Sequence, residues 1–151
     1  MNPVYRHTQY GALMFGVLLA VGALIAAVAV AIIAEGRLVA ALVMIGVYLL
    51  GVAMFYAATI EVTGQVIQFW FGIGIVRTTI PLGEVQAAKA IENPWYYFWG
   101  VKSIPGGWWW AIAPGPGVEL TLKNGRLVQL GSDQAEQLTQ AIEAAIHPGT
   151  G

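Results

Sequence analysis

The only imidazoles in the chain, His7 and His147, stand near opposite ends of it. Histidine working as a base or metal ligand needs partners within reach, and there is no cysteine to supply a thiolate or a disulfide. The carboxylates Glu84, Glu92 and Glu119 fall in strand-like sequence, where a solvated sheet face accounts for them. Asp133 stands where a helix cap is wanted, three residues ahead of Glu136, with Ser132 as the alternative cap. Glycines at 72 and 74, and at 115 and 117, do not lead into the helix that a phosphate-binding loop requires. The expectation is therefore a non-enzyme, with no catalytic residue, no metal site and no cofactor.

What remains is recognition, and its residues are aromatic. Trp95, Tyr96, Tyr97, Phe98 and Trp99 run consecutively, and Trp108, Trp109 and Trp110 follow closely. Strand alternation sends Trp108 and Trp110 to one face and Trp109 to the other, so one core cannot take all three. Two readings stay open. The rings form a docking surface, since tryptophan and tyrosine dominate interface energetics, or they lie as a belt on lipid headgroups. Trp95, Tyr96, Tyr97, Trp99, Trp108, Trp109 and Trp110 are the candidate interaction surface on either reading. The cations Arg77, Lys89, Lys102, Lys123 and Arg126 are scattered among acids, which ranks lipid headgroup binding last. A net charge of −1 provides no field for nucleic acid.

The elements that must position these rings begin with two long apolar runs. The chain of 151 residues is 58% hydrophobic and 10% charged, against about a quarter charged in an ordinary soluble domain. Gly11–Ala34 and Leu38–Ala58 contain no charge. As helices they would be roughly 36 and 31 Å long, enough for a hydrocarbon layer of about 30 Å. The first run is too long for the apolar part of a cleaved signal, and a second span follows at once. The link Glu35-Gly36-Arg37 is so short that it forces an antiparallel hairpin with both ends on one side. Gly16, Ala20, Ala23, Ala27 and Ala31, continuing to Ala34, lie along one stripe of the first helix. Small residues so placed let another helix approach closely, either the second span or a foreign one. Arg6 and Arg77 flank the spans on the domain side, against Arg37 at the tip, which favours termini in the cytoplasm. Tyr5, Tyr10, Tyr56, Trp70 and Phe71 flank the spans as interfacial aromatics would.

After residue 60 the period becomes strand-like. Ile60–Thr63, Val66–Phe71, Ile75–Ile80 and Val85–Ile91 are β-branched and aromatic runs punctuated by glycine and proline. The last hairpin can be read in register. A two-residue Asn124-Gly125 loop would set Lys123 against Arg126 and Leu120 against Gln129. A three-residue loop, Lys123 to Gly125, instead puts Val118, Leu120, Leu122, Val128 and Leu130 on one face, and Glu119, Thr121 and Gln129 on the other. The second register is expected, with Gly125 left-handed in a bulge. Ala135, Leu138, Ile142, Ala145 and Ile146 then make one stripe of a helix that stops before Pro148.

These residues carry a resemblance. Trp99-Gly100-Val101-Lys102, Gly107-Trp108, Gly117-Val118-Glu119-Leu120, Asn124-Gly125-Arg126 and Leu130-Gly131-Ser132-Asp133 resemble the C-terminal half of bacterial pleckstrin-homology-like (PH-like) small membrane proteins. Ile80-Pro81-Leu82-Gly83-Glu84-Val85 is similar to that family's element between early strands, and two preceding spans match its usual arrangement. Lys102 stands where the family has arginine, Ser132 where it has threonine, and the Trp108–Trp110 run is more aromatic than its pattern. The resemblance implies a seven-stranded, partly open antiparallel barrel capped by a C-terminal helix, and no known reaction. The expected organisation is a transmembrane hairpin over 1–60 (spans near 11–34 and 38–58), a PH-like domain over 61–147 and a tail over 148–151. The expected role is a non-enzymatic module of the bacterial inner (cytoplasmic) membrane. It would contact membrane lipids and bind a protein partner, or serve as an accessory subunit of a respiratory or photosynthetic complex, with lipid headgroup binding as the remaining alternative.

Overall fold

The computed structural model describes residues 2–149; the last two positions of the expected tail lie outside them. Helices α1 (Ala12–Ala34) and α2 (Leu38–Phe55) form the hairpin. Both are long and apolar enough to cross a membrane, and most of their side chains are exposed. Gly36, at φ 78°, closes α1. Its N–H reaches Ile33 O at 2.8 Å and that of Arg37 reaches Ile32 O at 3.1 Å, satisfying two carbonyls at the helix end.

The expected small-residue stripe is not the seam of this hairpin: Gly16, Ala20, Ala23, Ala27 and Ala31 are all exposed. The less exposed face of α1 runs through Leu18, Gly22, Ile25, Ala29 and Ile32, alternating steps of four and three, while Ala41, Met44, Tyr48 and Val52 serve α2. That is the spacing of a knobs-into-holes seam. Gly22 makes room for the Tyr48 hydroxyl, which donates to Leu18 O at 2.6 Å. In an apolar surround a tyrosine hydroxyl needs such a partner, and this one fixes the helices in register.

Strand β1 (Tyr5–Gln9) precedes the hairpin and pairs antiparallel with β2 (Ala58–Val62), which follows it, with Tyr5 opposite Val62 and Gln9 opposite Ala58. The two helices are thus an insertion between neighbouring strands. The second helix ends at Phe55, earlier than the apolar run, because Ala57 and Ala58 are buried against the sheet. Strands β3 (Val66–Phe71) and β4 (Arg77–Pro81) complete a meander ordered β1-β2-β3-β4. Residues 72–76, which include the first two positions of the expected third strand (Ile75 and Val76), turn back to cap α2. Gly72 N–H reaches Ala57 O at 2.8 Å and Ile73 N–H reaches Ala53 O at 3.1 Å. Only glycine fits at 72, where φ is 44° and a Cβ would lie 2.1 Å from Ala53 O.

The second sheet holds β5 (Val85–Glu92), β6 (Gly100–Ile104), β7 (Gly107–Ala111), β8 (Pro116–Leu122) and β9 (Leu127–Gly131), ordered β5-β8-β9-β7-β6. It is not wholly antiparallel as expected. Strand β9 inserts between β7 and β8 and runs parallel to β7. Glycine at each end permits this approach, since a Cβ on Gly107 would overlap Leu127 O and one on Gly131 would overlap the Ala111 Cβ. The β8–β9 hairpin has the expected register: Glu119 opposes Gln129, Leu120 opposes Val128, and Leu122 N–H meets Arg126 O at 2.9 Å. Gly125 is left-handed, at φ 83°.

Nine strands are present among the described residues, in two sheets that do not close into a barrel. Their facing sides bury Ile60, Ile67, Phe69 and Phe71 with Val118, Leu120 and Leu130. Helix α3 (Ala135–Ile146) completes the core through Leu138 and Ile142, the stripe expected for it. Asp133 does not cap it. The Asp133 carboxylate is drawn 2.7 Å from His7 Nε2 on β1, and it is Ser132 Oγ that accepts a backbone N–H, from Gln134.

Candidate functional site

Among the described residues no cluster of three histidine or carboxylate side chains comes together. Glu84 and Glu92 are exposed, and Glu119 accepts the Gln129 amide at 2.9 Å. The remaining candidates are the aromatic residues, which the fold separates into three environments.

Trp109 is the first. It is fully buried (0% exposed), on the side of the second sheet that faces away from the common core. Pairing across the five strands aligns Lys89, Glu119, Gln129, Trp109 and Lys102 in one row. A cover made from residues 93–99 closes over the Trp109 end. The Tyr97 ring stands edge-on to the indole at 5.7 Å, and Lys102 Nζ lies 5.7 Å from the indole centroid and 5.5 Å from that of Phe98. The Lys102 ammonium also donates to Tyr97 O, which pins the cover to β6. Phe98 has φ 54°, ψ −131°, an uncommon backbone for a residue with a side chain. Trp109 is therefore a packing residue and not part of the expected surface.

The second environment is the opposite side of β7. Trp110 is half-buried, stacked on Phe71 at 6.4 Å and edge-on to Phe69 at 6.2 Å. Trp108, on the same face, is exposed. A cleft of about 410 Å3 opens here, lined by Thr78, Val101, Trp108, Trp110 and Val128. Thr78 belongs to β4 and Val101 to β6, each the end strand of its own sheet. The cleft is the gap left where the two sheets fail to close.

The third environment is the outer run. Trp95 and Tyr96 are 73% and 58% exposed, and Phe98 is also exposed, a residue outside the expected surface set. Edge-to-face contacts connect Trp95 to Phe98 and Phe98 to Trp99 at about 6 Å. Trp99 in turn lines a groove of about 570 Å3 with Leu18, Tyr48, Val52, Val76 and Val101. This groove lies where both helices meet the sheets. It shares Val101 with the cleft, so apolar surface runs from the helices into the gap between β4 and β6.

A clasp holds the sheets above the helices. Buried Gln9, two residues before Gly11, donates to Gly131 O at 2.7 Å and accepts from Asp133 N–H at 2.9 Å. Tyr5 donates to Gln134 Oε1 at 3.0 Å. Burial raises the Tyr5 phenol above its ordinary value; the Ser132 hydroxyl works against this and the Asp133 charge works with it.

No protein-family model matches the chain, and no curated protein is similar to it.

Proposed function

We propose that this chain is a membrane-anchored, non-catalytic docking module with a PH-like domain, and that it receives an apolar segment of a partner membrane protein. The observation that carries this reading is the continuous apolar surface running from the groove between α1 and α2 past Trp99 to the exposed rings of Trp95, Tyr96 and Phe98. Exposed aromatic side chains beside a preformed groove are what interface anchors use. The helices hold the domain at the bilayer of a bacterial inner membrane, with the termini on the cytoplasmic side, where Arg6 and Arg77 also lie. Two sheets with a helix across one end of the core, and the motifs described above, support the PH-like assignment.

A second reading, a permanent accessory subunit of a larger membrane complex, is favoured by one observation. The stripe Gly16, Ala20, Ala23, Ala27 and Ala31 is left unpartnered by α2 and suits close approach by a foreign helix.

Mild-detergent purification with mass spectrometry tests both. Docking expects a partner that is lost when Trp95→Ala and Phe98→Ala are combined. A stoichiometric complex that survives these changes but not Ala23→Leu points to the accessory subunit. A monomer with no partner sinks both readings.

A further inference from the structure

We infer that the outer face of the first sheet holds a phosphate group at the membrane surface, between Arg6 and Arg77. The inference rests on the membrane reading above, but it does not need the docking reading.

The pairing register builds the site. Trp70 on β3 stands opposite both Thr59 on β2 and Arg77 on β4, and Arg6 on β1 stands opposite Glu61. Alternation puts Arg6, Gln68, Trp70 and Arg77 on the side of the sheet away from the core. They border a cavity of about 330 Å3 completed by Ile73 and Gly74. The Arg6 guanidinium lies over the Trp70 ring, 5.7 Å from its centroid. Arg77 donates through Nε to Gly74 O at 2.8 Å. That bond orients the guanidinium and leaves both terminal nitrogens without a partner among the described residues. Glu61 is the carboxylate paired with this site among the described residues. It sits 3.6 Å from Arg6, too loose for a paired hydrogen bond, and the site keeps a net positive charge.

Height in the membrane follows from the same register. Thr59 comes four positions after the end of α2, and the exposed Tyr10–Tyr56 pair, 6.4 Å apart, marks the helix ends. The turn that caps α2 exposes Ile73 and Ile75 on either side of buried Gly74. Two isoleucines at acyl depth, tryptophan beside them and arginines behind suit a phosphate at headgroup level. Guanidinium is the side chain best matched to phosphate oxygens, and Gln68 adds a neutral donor. The phosphate could come from an anionic phospholipid or from soluble phosphate.

The test reconstitutes the full chain in nanodiscs of phosphatidylcholine with a minor fraction of phosphatidylglycerol, and counts retained lipids by native mass spectrometry. Phosphatidylglycerol should be retained in preference. Arg6→Gln and Arg77→Gln should each reduce that preference about five-fold, the loss expected for one cation at a membrane surface. Glu61→Gln should raise it by freeing Arg6, and this variant decides the matter should Arg77→Gln fold poorly. Where phosphatidylglycerol is preferred, no competition by inorganic phosphate assigns the site to the lipid; phosphate binding without that preference assigns it to soluble phosphate. Equal retention of both lipids, with no phosphate binding and no response to Glu61→Gln, overturns the site. A chain that never enters the nanodisc sinks the membrane reading instead, and phosphate binding in detergent then decides the site.

Discussion

The two sheets are attached to the helices in different ways. In the first, β1 runs into α1, β2 emerges from α2, and the β3–β4 turn caps the end of α2. Its outer face is polar, with Thr8 and Thr59 hydroxyls joined at 2.8 Å and Arg6 beside Glu61. The second sheet meets the helices through Trp99 and Val101 along the groove, and the Gln9 clasp ties it to β1 just ahead of α1. Its polar groups are less well satisfied. Among the described residues, three buried side-chain atoms lack a partner, Asn93 Nδ2, Trp109 Nε1 and Gln129 Oε1, and all belong to this sheet or its cover. The strained Phe98 is there too. Unsatisfied buried groups and strain are costly, and they concentrate where a structure is shaped for something other than stability. On the docking reading proposed above, the first sheet is the anchor and the second the recognition element.

The largest expected effect lies inside the second sheet. Trp109→Ala empties a fully buried indole site and should cost about 3–5 kcal/mol. Trp95→Ala, at a mostly exposed ring in the same cover, should change stability by less than about 0.5 kcal/mol, yet remove partner association. Unfolding of the detergent-solubilised variants gives the first comparison and co-purification the second. If Trp95→Ala destabilised as much as Trp109→Ala, the outer rings would be core, and the distinction between anchor and recognition sheet would fail.

Next comes the link between the sheets. Gln9→Ala removes both hydrogen bonds of a buried amide and strands Gly131 O and Asp133 N–H, for a loss of about 2 kcal/mol. Because Gln9 precedes α1 so closely, the same change should loosen the second sheet over the bilayer while leaving β1–β4 in place. Hydrogen exchange should therefore rise in β9 and the start of α3 more than in β2 and β3. Equal acceleration in both sheets would mean that they unfold as one unit.

How much of this was legible in the sequence depends on the distance between partners. The helices could be read because an uncharged run long enough for a bilayer has few other uses. The β8–β9 register could be read because a short loop and one apolar face leave a single solution. Alternation separated Trp109 from Trp108 and Trp110, but it did not say that its face would be closed by Tyr97 and Phe98. Strand β1 carried no such signal. Five residues with a partner beyond two helices look like a flank, and the parallel β7–β9 pair is likewise a non-local choice. The arginine site escaped for the same reason. Arg6 and Arg77 look scattered along the chain and become neighbours only once β1 joins the sheet. Asp133 looked like a cap because nothing local revealed His7.

The smallest effect probes the clasp through pH. Tyr5 is held neutral by burial, with its phenol raised above the ordinary value of about 10. The folded chain therefore keeps this proton at a pH where the unfolded chain has released it. The stability contributed is fully present below about pH 10 and is lost as pH climbs through the raised value. Tyr5→Phe removes the titration together with the hydrogen bond to Gln134, costing about 1 kcal/mol at neutral pH. Unfolding midpoints of the two proteins, measured in detergent from neutral pH upward, should differ at first and converge above about pH 10, because only the native chain pays the cost of ionising Tyr5. A constant offset across that range would show that the phenol ionises freely in the fold. The β1 end of the clasp would then be open to water, with the phenol no more shielded in the fold than in the unfolded chain.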